Sequence, residues 1–336
     1  MQPYSNTPYQ TSAYLPPERN PIYKRQERRN LGRIGWALTI YYLTASLLAT
    51  AAMATIKTFF PQAAELSYFN LLLQLIPPYV IGFPLFAGLL IGMPKQAPKK
   101  KKLGFNGWIT FLAVAFFLMM AGNYIATGLM GLLETVKGGE ITNAIDQTIH
   151  TFSPLENLIL MVICAPIVEE LMCRKLIIDR LMPYSEALAV TVSGVFFGLL
   201  HGNFYQFFYA TFLGILFSYV YVKTGKILHT IIMHMIINFT GSIIAAFLTD
   251  MTSDLASAPT SINPWNIVAT VYSMAMLALA VCGGILLYQQ LKKLHLKKTG
   301  TRWLTLKTQF LLTLSSAGTI VFCVICLLTF FGSLYI

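Results

Sequence analysis

Nine apolar runs, at 34–56, 68–93, 105–133, 155–182, 185–201, 204–222, 227–248, 265–288 and 309–336, constrain this chain more than anything else in it. A helix needs about 20 such residues to cross the hydrocarbon core of a bilayer. Most of the runs reach that length; 185–201 is short, and the last run is the weakest. The composition agrees: 56% of residues are hydrophobic and 11% charged, with a mean hydropathy of +0.63, whereas soluble domains carry about 25% charged residues. The expected fold is all-α, a polytopic membrane bundle of about nine transmembrane helices, with eight as the alternative.

The loop charges orient the bundle. Segments 1–33, 94–104, 174–184, 223–226 and 289–308 hold 22 of the 24 Lys and Arg residues, leaving only Lys57 and Lys137 in the alternate loops. The positive-inside rule then places the N-terminus in the cytosol, in an integral membrane protein read as belonging to the bacterial plasma membrane. The formal charge of +11 is thereby accounted for by topology, and no nucleic-acid partner is expected. Residues 1–33, rich in Pro, Tyr, Asn and Gln, read as a disordered, basic cytosolic arm. Residues 34–150 supply the first helices and a long outer loop, 251–336 the last helices. Lys99–Lys102, directly beneath a span, can attract anionic lipid, although topology alone explains the run. The loop 134–156 has room for a surface helix and offers no site residue. The cysteines, Cys164, Cys173, Cys282, Cys323 and Cys326, all lie in apolar runs, as packing residues do.

Within 151–250 the apolar pattern breaks. Glu169 and Glu170 sit side by side, with Arg174 one turn on. An ionised group at mid-membrane costs at least about 2.5–3.5 kcal/mol on insertion scales, so these charges must be paired, wet or chemically active. Glu170 and Arg174 are i and i+4 and share a helix face, which turns Glu169 elsewhere. Two further polar intrusions follow: His201-Gly202-Asn203, with Gln206 just after, and His234 with Asn238 at i+4. Taking 1.5 Å of rise per residue, Glu169 lies about 20 Å, His201 about 24 Å, and His234 and Asn238 about 12 and 18 Å from the inner helix ends. These depths are compatible, and they stop the fifth span inside the bilayer, where irregular backbone needs protein or a wet cavity beside it.

Singly, a His or Asn on a membrane helix commonly bonds a neighbouring helix, and His229, near the inner interface, reads that way. Together the four groups suit hydrolysis. Glu169 can take a proton from water with His201 orienting it, and His234 and Asn238 can donate to a developing oxyanion. Zinc held by two His and a Glu is the rival arrangement; against it, there is no His-Glu-x-x-His motif, and Asn238 is left without a role. Cys173 is a poor nucleophile beside two carboxylates.

The motifs Glu169-Glu170-x-x-x-Arg174, Phe197-x-x-x-His201 and His234-x-x-x-Asn238, in this order on successive membrane helices, resemble those of the CAAX prenyl endopeptidase and bacteriocin-processing family of glutamate intramembrane proteases. The resemblance covers roughly 150–248. It implies that Glu169 and His201 activate water, that His234 and Asn238 form the oxyanion site, that Glu170 and Arg174 give structural support, and that no metal is needed. Cys173 departs from it, standing where the family usually has an aromatic residue. The implied substrate is a bacteriocin-like peptide or a membrane-protein terminus, reached from the cytosolic side or laterally. A non-proteolytic scaffold or regulator of the same fold, serving self-immunity or cell-envelope control, is the alternative. A transporter is a third reading that the lack of repeats disfavours. Protein partners are expected to bind through the tails, 1–33 and 250–336.

Overall fold

In the computed structural model, which describes residues 16–253 and 264–335, all regular structure is helical; helix makes up 81%. The long elements are α1 (Pro21–Phe59), α2 (Tyr68–Leu89), α3 (Phe105–Lys137), the short α4 (Ala144–Thr151), α5 (residues 154–181), α6 (Glu186–Leu200), α7 (Phe204–Thr224), α8 (Ile227–Thr252) and α9 (Pro264–Leu291). The last two are α10 (Leu306–Leu314) and α11 (Ala317–Gly332). Each of the nine apolar runs is helical over most of its described length. Among the described residues, six helices are long and apolar enough to cross a membrane, or seven if α10 and α11, bent by 63°, form one broken span. The difference from nine has a physical origin in α5 and α6. The first carries Glu169, Glu170, Arg174 and Lys175 within its apolar stretch, and the second has 15 residues, short of a full crossing.

The lipid-facing surface is legible on α9, where Val271, Met274, Leu277, Val281 and Ile285 are exposed. A stripe of that kind is covered by hydrocarbon, not water, and the chain is an integral membrane protein. Between helices the hydrophobic effect contributes little in lipid, so close contact must come from small residues. Gly194 and Gly198 on α6 form such a seam with α7. A Cβ on Gly194 would lie 2.7 Å from the Ile215 nitrogen, and one on Gly198 2.9 Å from the Phe207 carbonyl oxygen. The same device brings α1 to α11, where a Cβ on Gly35 would stand 2.3 Å from the carbonyl carbon of Gly318.

All five basic segments meet on one face. Gln96 N–H donates to the Asp179 carbonyl at 2.6 Å, Lys101 N–H to that of Thr224 at 2.8 Å, and Arg302 N–H to that of Pro183 at 3.1 Å. Buried Glu27 accepts from the Tyr184 hydroxyl and pairs with Arg302 at 3.0 Å. One expectation changes here. Residues 21–33 are not an unstructured arm but the first turns of α1, capped by Asn20, with Glu27, Leu31 and Ile34 buried on one face; residues 1–15 lie outside the described part. Residues 264–335 form the last helices as expected, with α9 packed on α3 at Gly283 and α11 on α1.

Candidate active site

Proline sets the local geometry of α5. Its segments Leu158–Cys164 and Leu171–Ile178 have π-helical hydrogen bonding, a widening that recurs at functional sites. Ala165 N–H bonds the carbonyl five residues back, Leu160. The next donor in that ladder would be residue 166, but Pro166 has no N–H, so the Met161 carbonyl loses its helical partner. Asn238 Nδ2, from α8, donates to it instead at 2.8 Å. The widened turn thus ties α5 to α8 beside the carboxylates.

Glu169, His201, His234 and Asn238 line one cavity of about 410 Å³. The depth arithmetic of the sequence places these residues together, and the structure does the same. Glu169 is one-quarter exposed at its side chain, toward the cavity, whereas Glu170 and Arg174 are wholly buried. The Glu170 Oε2 to Arg174 Nε separation is 3.0 Å, but the N–H does not point at the oxygen, so the contact is an ion pair without hydrogen-bond geometry. The guanidinium lies 4.7 Å from the centre of the Phe197 ring, a cation–π contact. Both imidazoles meet the same ring edge-on, His201 at 4.9 Å and His234 at 5.6 Å. Phe197 therefore stands between the buried cation and the two histidines, which gives the first residue of Phe-x-x-x-His a physical task.

The hydrogen bonds distinguish the histidines. His201 follows the last residue of α6; Gly202 then takes a left-handed φ of 66°, and Asn203 caps α7. His201 Nδ1 lies 2.8 Å from the Phe197 carbonyl oxygen. That oxygen can only accept, so Nδ1 carries the proton, and in the neutral ring Nε2 is left with a lone pair. His234 Nδ1 lies 3.2 Å from Glu170 Oε1 and its Nε2 3.8 Å from Glu169 Oε2, so this imidazole bridges the paired carboxylates. His229 is outside the cavity lining. Among the described residues no three His, Cys, Asp or Glu side chains are grouped to hold a metal ion.

Residues 151–240 match the family model described as type II CAAX prenyl endopeptidase Rce1-like. Over these residues the chain is similar to that family. That agrees with the resemblance carried by the three motifs, and the family so described is one of CAAX-type proteases, which are hydrolases. No curated protein and no solved structure matches the chain. The matched segment contains Glu169, His201, His234 and Asn238, yet the cavity wall extends beyond it. Tyr41 of α1, Met119 and Asn123 of α3, and Ile145 and Ile149 of α4 also line it. The loop 134–156, read as free of site residues, thus supplies a wall of the site. Gln206 and Tyr209 complete the lining beside His201, linked by Asn203 Nδ2 donating to Gln206 Oε1 at 2.7 Å and Gln206 Nε2 to the Tyr209 hydroxyl at 2.9 Å. Their spacing of three residues along one helix face was the available signal.

Proposed function

We propose that this protein is an intramembrane endopeptidase in which Glu169 and His201 activate water and His234 and Asn238 receive the oxyanion. The observation that carries the reading is the convergence of these four side chains, from α5, α8 and the end of α6, on one cavity. Glu169 takes a proton from a water molecule whose other hydrogen is held by the lone pair of His201 Nε2. The water oxygen attacks the peptide carbonyl carbon, and the carbonyl oxygen becomes negative. The second N–H of Asn238 Nδ2 donates to it, as does His234 Nε2 when the ring is an imidazolium with Nδ1–H on Glu170. Return of the proton from Glu169 to the amide nitrogen breaks the C–N bond and releases two peptide products. Such donors, fixed in place before the reaction, typically contribute about 10²–10³ in kcat each.

The substrate is a peptide or a membrane-protein terminus, of the bacteriocin-like kind in a bacterial plasma membrane, with the basic face cytosolic. New peptide termini in membranes expressing wild type, compared with Glu169→Ala at equal levels, test the reading. Termini confined to wild type support it and name the substrate. Full cleavage by Glu169→Gln refutes the base assignment, and identical termini in both membranes refute proteolysis.

A further inference from the structure

We infer that the cavity takes its peptide from the side of the membrane opposite the basic face, so that the cleaved bond lies in an extracytoplasmic segment. This rests on the hydrolytic reading and adds the sidedness of its substrate.

The cavity has a closed end and an open end. Toward the basic face its floor is solid: Glu170, Cys173, Arg174, Ile177, Ile178 and Leu181, successive residues down α5, are each 0% exposed. Toward the other end the lining passes to exposed Asn123 and Gly241 and to half-buried Ile145 and Ile149 of α4. Helix α4 belongs to the loop that alternates with the basic segments. The side chain of its neighbour Asn157 holds it in place by donating to the carbonyls of Ile149 and Phe152 at 2.7 and 3.2 Å. Leaving out buried Arg174, the face that seals the floor carries 21 of the chain's 24 Lys and Arg residues, which is the cytosolic signature. The mouth therefore opens away from the cytosol.

The other face of α4 points to the same end. Gln147 and Thr151 line a second cleft, of about 610 Å³, with Lys57, Asn70 and Gln74. Asn70 and Gln74 are i and i+4 on an otherwise apolar span and so share a face. The cavity and this second cleft flank one short helix at the extracytoplasmic end, and both mix apolar with polar lining. An extended peptide, with apolar side chains and unpaired backbone amides, finds partners for both there.

A cysteine at Gly241 tests this, because a Cβ there meets nothing within 4 Å. Gly241→Cys and, as an internal marker of the basic face, Lys99→Cys are made in the full chain. Each is exposed to a membrane-impermeant maleimide in right-side-out and in inverted vesicles, with the parent chain run in parallel to subtract its own thiols. The expected result is labelling of Gly241→Cys at least about tenfold faster in right-side-out vesicles, and the reverse for Lys99→Cys. Labelling of Gly241→Cys from the inverted side overturns the inference. So does labelling of both cysteines from one side, or labelling of Gly241→Cys by a permeant maleimide alone, which would mean access through lipid. Asn123→Cys repeats the test should Gly241→Cys fail to purify as a monodisperse protein. Labelling requires no turnover, so an inactive enzyme leaves this result standing. Cleavage sites found on cytosolic segments would refute the sidedness while upholding hydrolysis.

Discussion

The carboxamide of Asn238 donates to the main-chain carbonyl of Met161 at 2.8 Å, an acceptor freed because Pro166 cannot serve it. Asn238 is thus held by one N–H and has a second to offer the cavity. Asn238→Asp keeps the shape but removes both donors and sets an oxygen against the Met161 oxygen. Its kcat should fall by about 10²–10³, with a stability loss of about 1–3 kcal/mol from the unsatisfied carbonyl. Pro166→Ala should act more gently, since the restored N–H competes with Asn238 for Met161 and leaves the amide loosely aimed. A kcat decrease with KM unchanged would mark positioning. Unaltered kinetics in Pro166→Ala would show that the bond to Met161 does not aim Asn238.

Glu169 and Glu170 are adjacent but should fail differently. Glu170 balances a guanidinium with no exposed surface, and stripping one partner from such a pair costs about 3–5 kcal/mol. Glu170→Gln is therefore expected to lower the thermal midpoint in detergent strongly, whereas Glu169→Gln, facing the cavity, leaves the midpoint near wild type and abolishes cleavage. Equal midpoints for the two variants would contradict the division of labour. Arg174→Lys should resemble Glu170→Gln, because an ammonium cannot stack flat on Phe197 as the guanidinium does.

Much of this architecture was legible because a membrane rejects polar side chains unless something pays for them. Glu169, His201, His234 and Asn238 stand out against apolar runs for that reason, and helical rise alone brings them to one level. What escaped was less conspicuous. Ile145 and Ile149 are an ordinary i, i+4 apolar pair in a loop, and nothing in their spacing separates a cavity wall from a surface helix. The π-helical widening before Pro166 depends on Asn238, 72 positions later, accepting the role of missing donor. Residues 21–33 look unstructured by composition, yet Glu27, Leu31 and Ile34 already carry the i, i+4, i+7 stripe of a packed helix. The surrounding Arg and Lys residues mask it.

The start of α1 should respond to acid. Glu18 accepts from the Thr305 main-chain N–H at 3.0 Å and from the hydroxyls of Thr305 and Thr308. Burial raises its pKa, but the Thr308 and Thr305 hydrogen bonds, with Lys24 nearby, outweigh that and hold the carboxyl below its ordinary 4.5. A carboxyl lowered on folding stabilises above its unfolded pKa, and the contribution disappears as pH falls through the folded value. Glu18→Gln should accordingly be slightly less stable than wild type at pH 6, by less than about 1 kcal/mol for so exposed a group. At a pH well below 4.5 the two thermal midpoints should coincide. A gap that persists in acid would refute the linkage.

The seam between α6 and α7 fixes where His201 sits, and Gly194 is its tightest main-chain approach: an added Cβ would lie 2.7 Å from the Ile215 nitrogen and 2.9 Å from its Cα. Backbone on the opposing helix cannot rotate aside, so Gly194→Ala must push the helices apart. Overpacking of this kind typically costs about 1–3 kcal/mol. The displacement is carried along α6 to His201, whose lone pair must meet a water also held by Glu169, and a misplacement of about 1 Å can cost 10²-fold in rate. Gly194→Ala is thus expected to lose more activity than its stability loss explains, when both are measured well below its melting temperature. Gly128→Ala is the matched control, since a Cβ there meets nothing within 4 Å, and it should change neither quantity. Loss of stability in Gly194→Ala with a wild-type rate would mean that the seam holds the helices together without setting the position of His201.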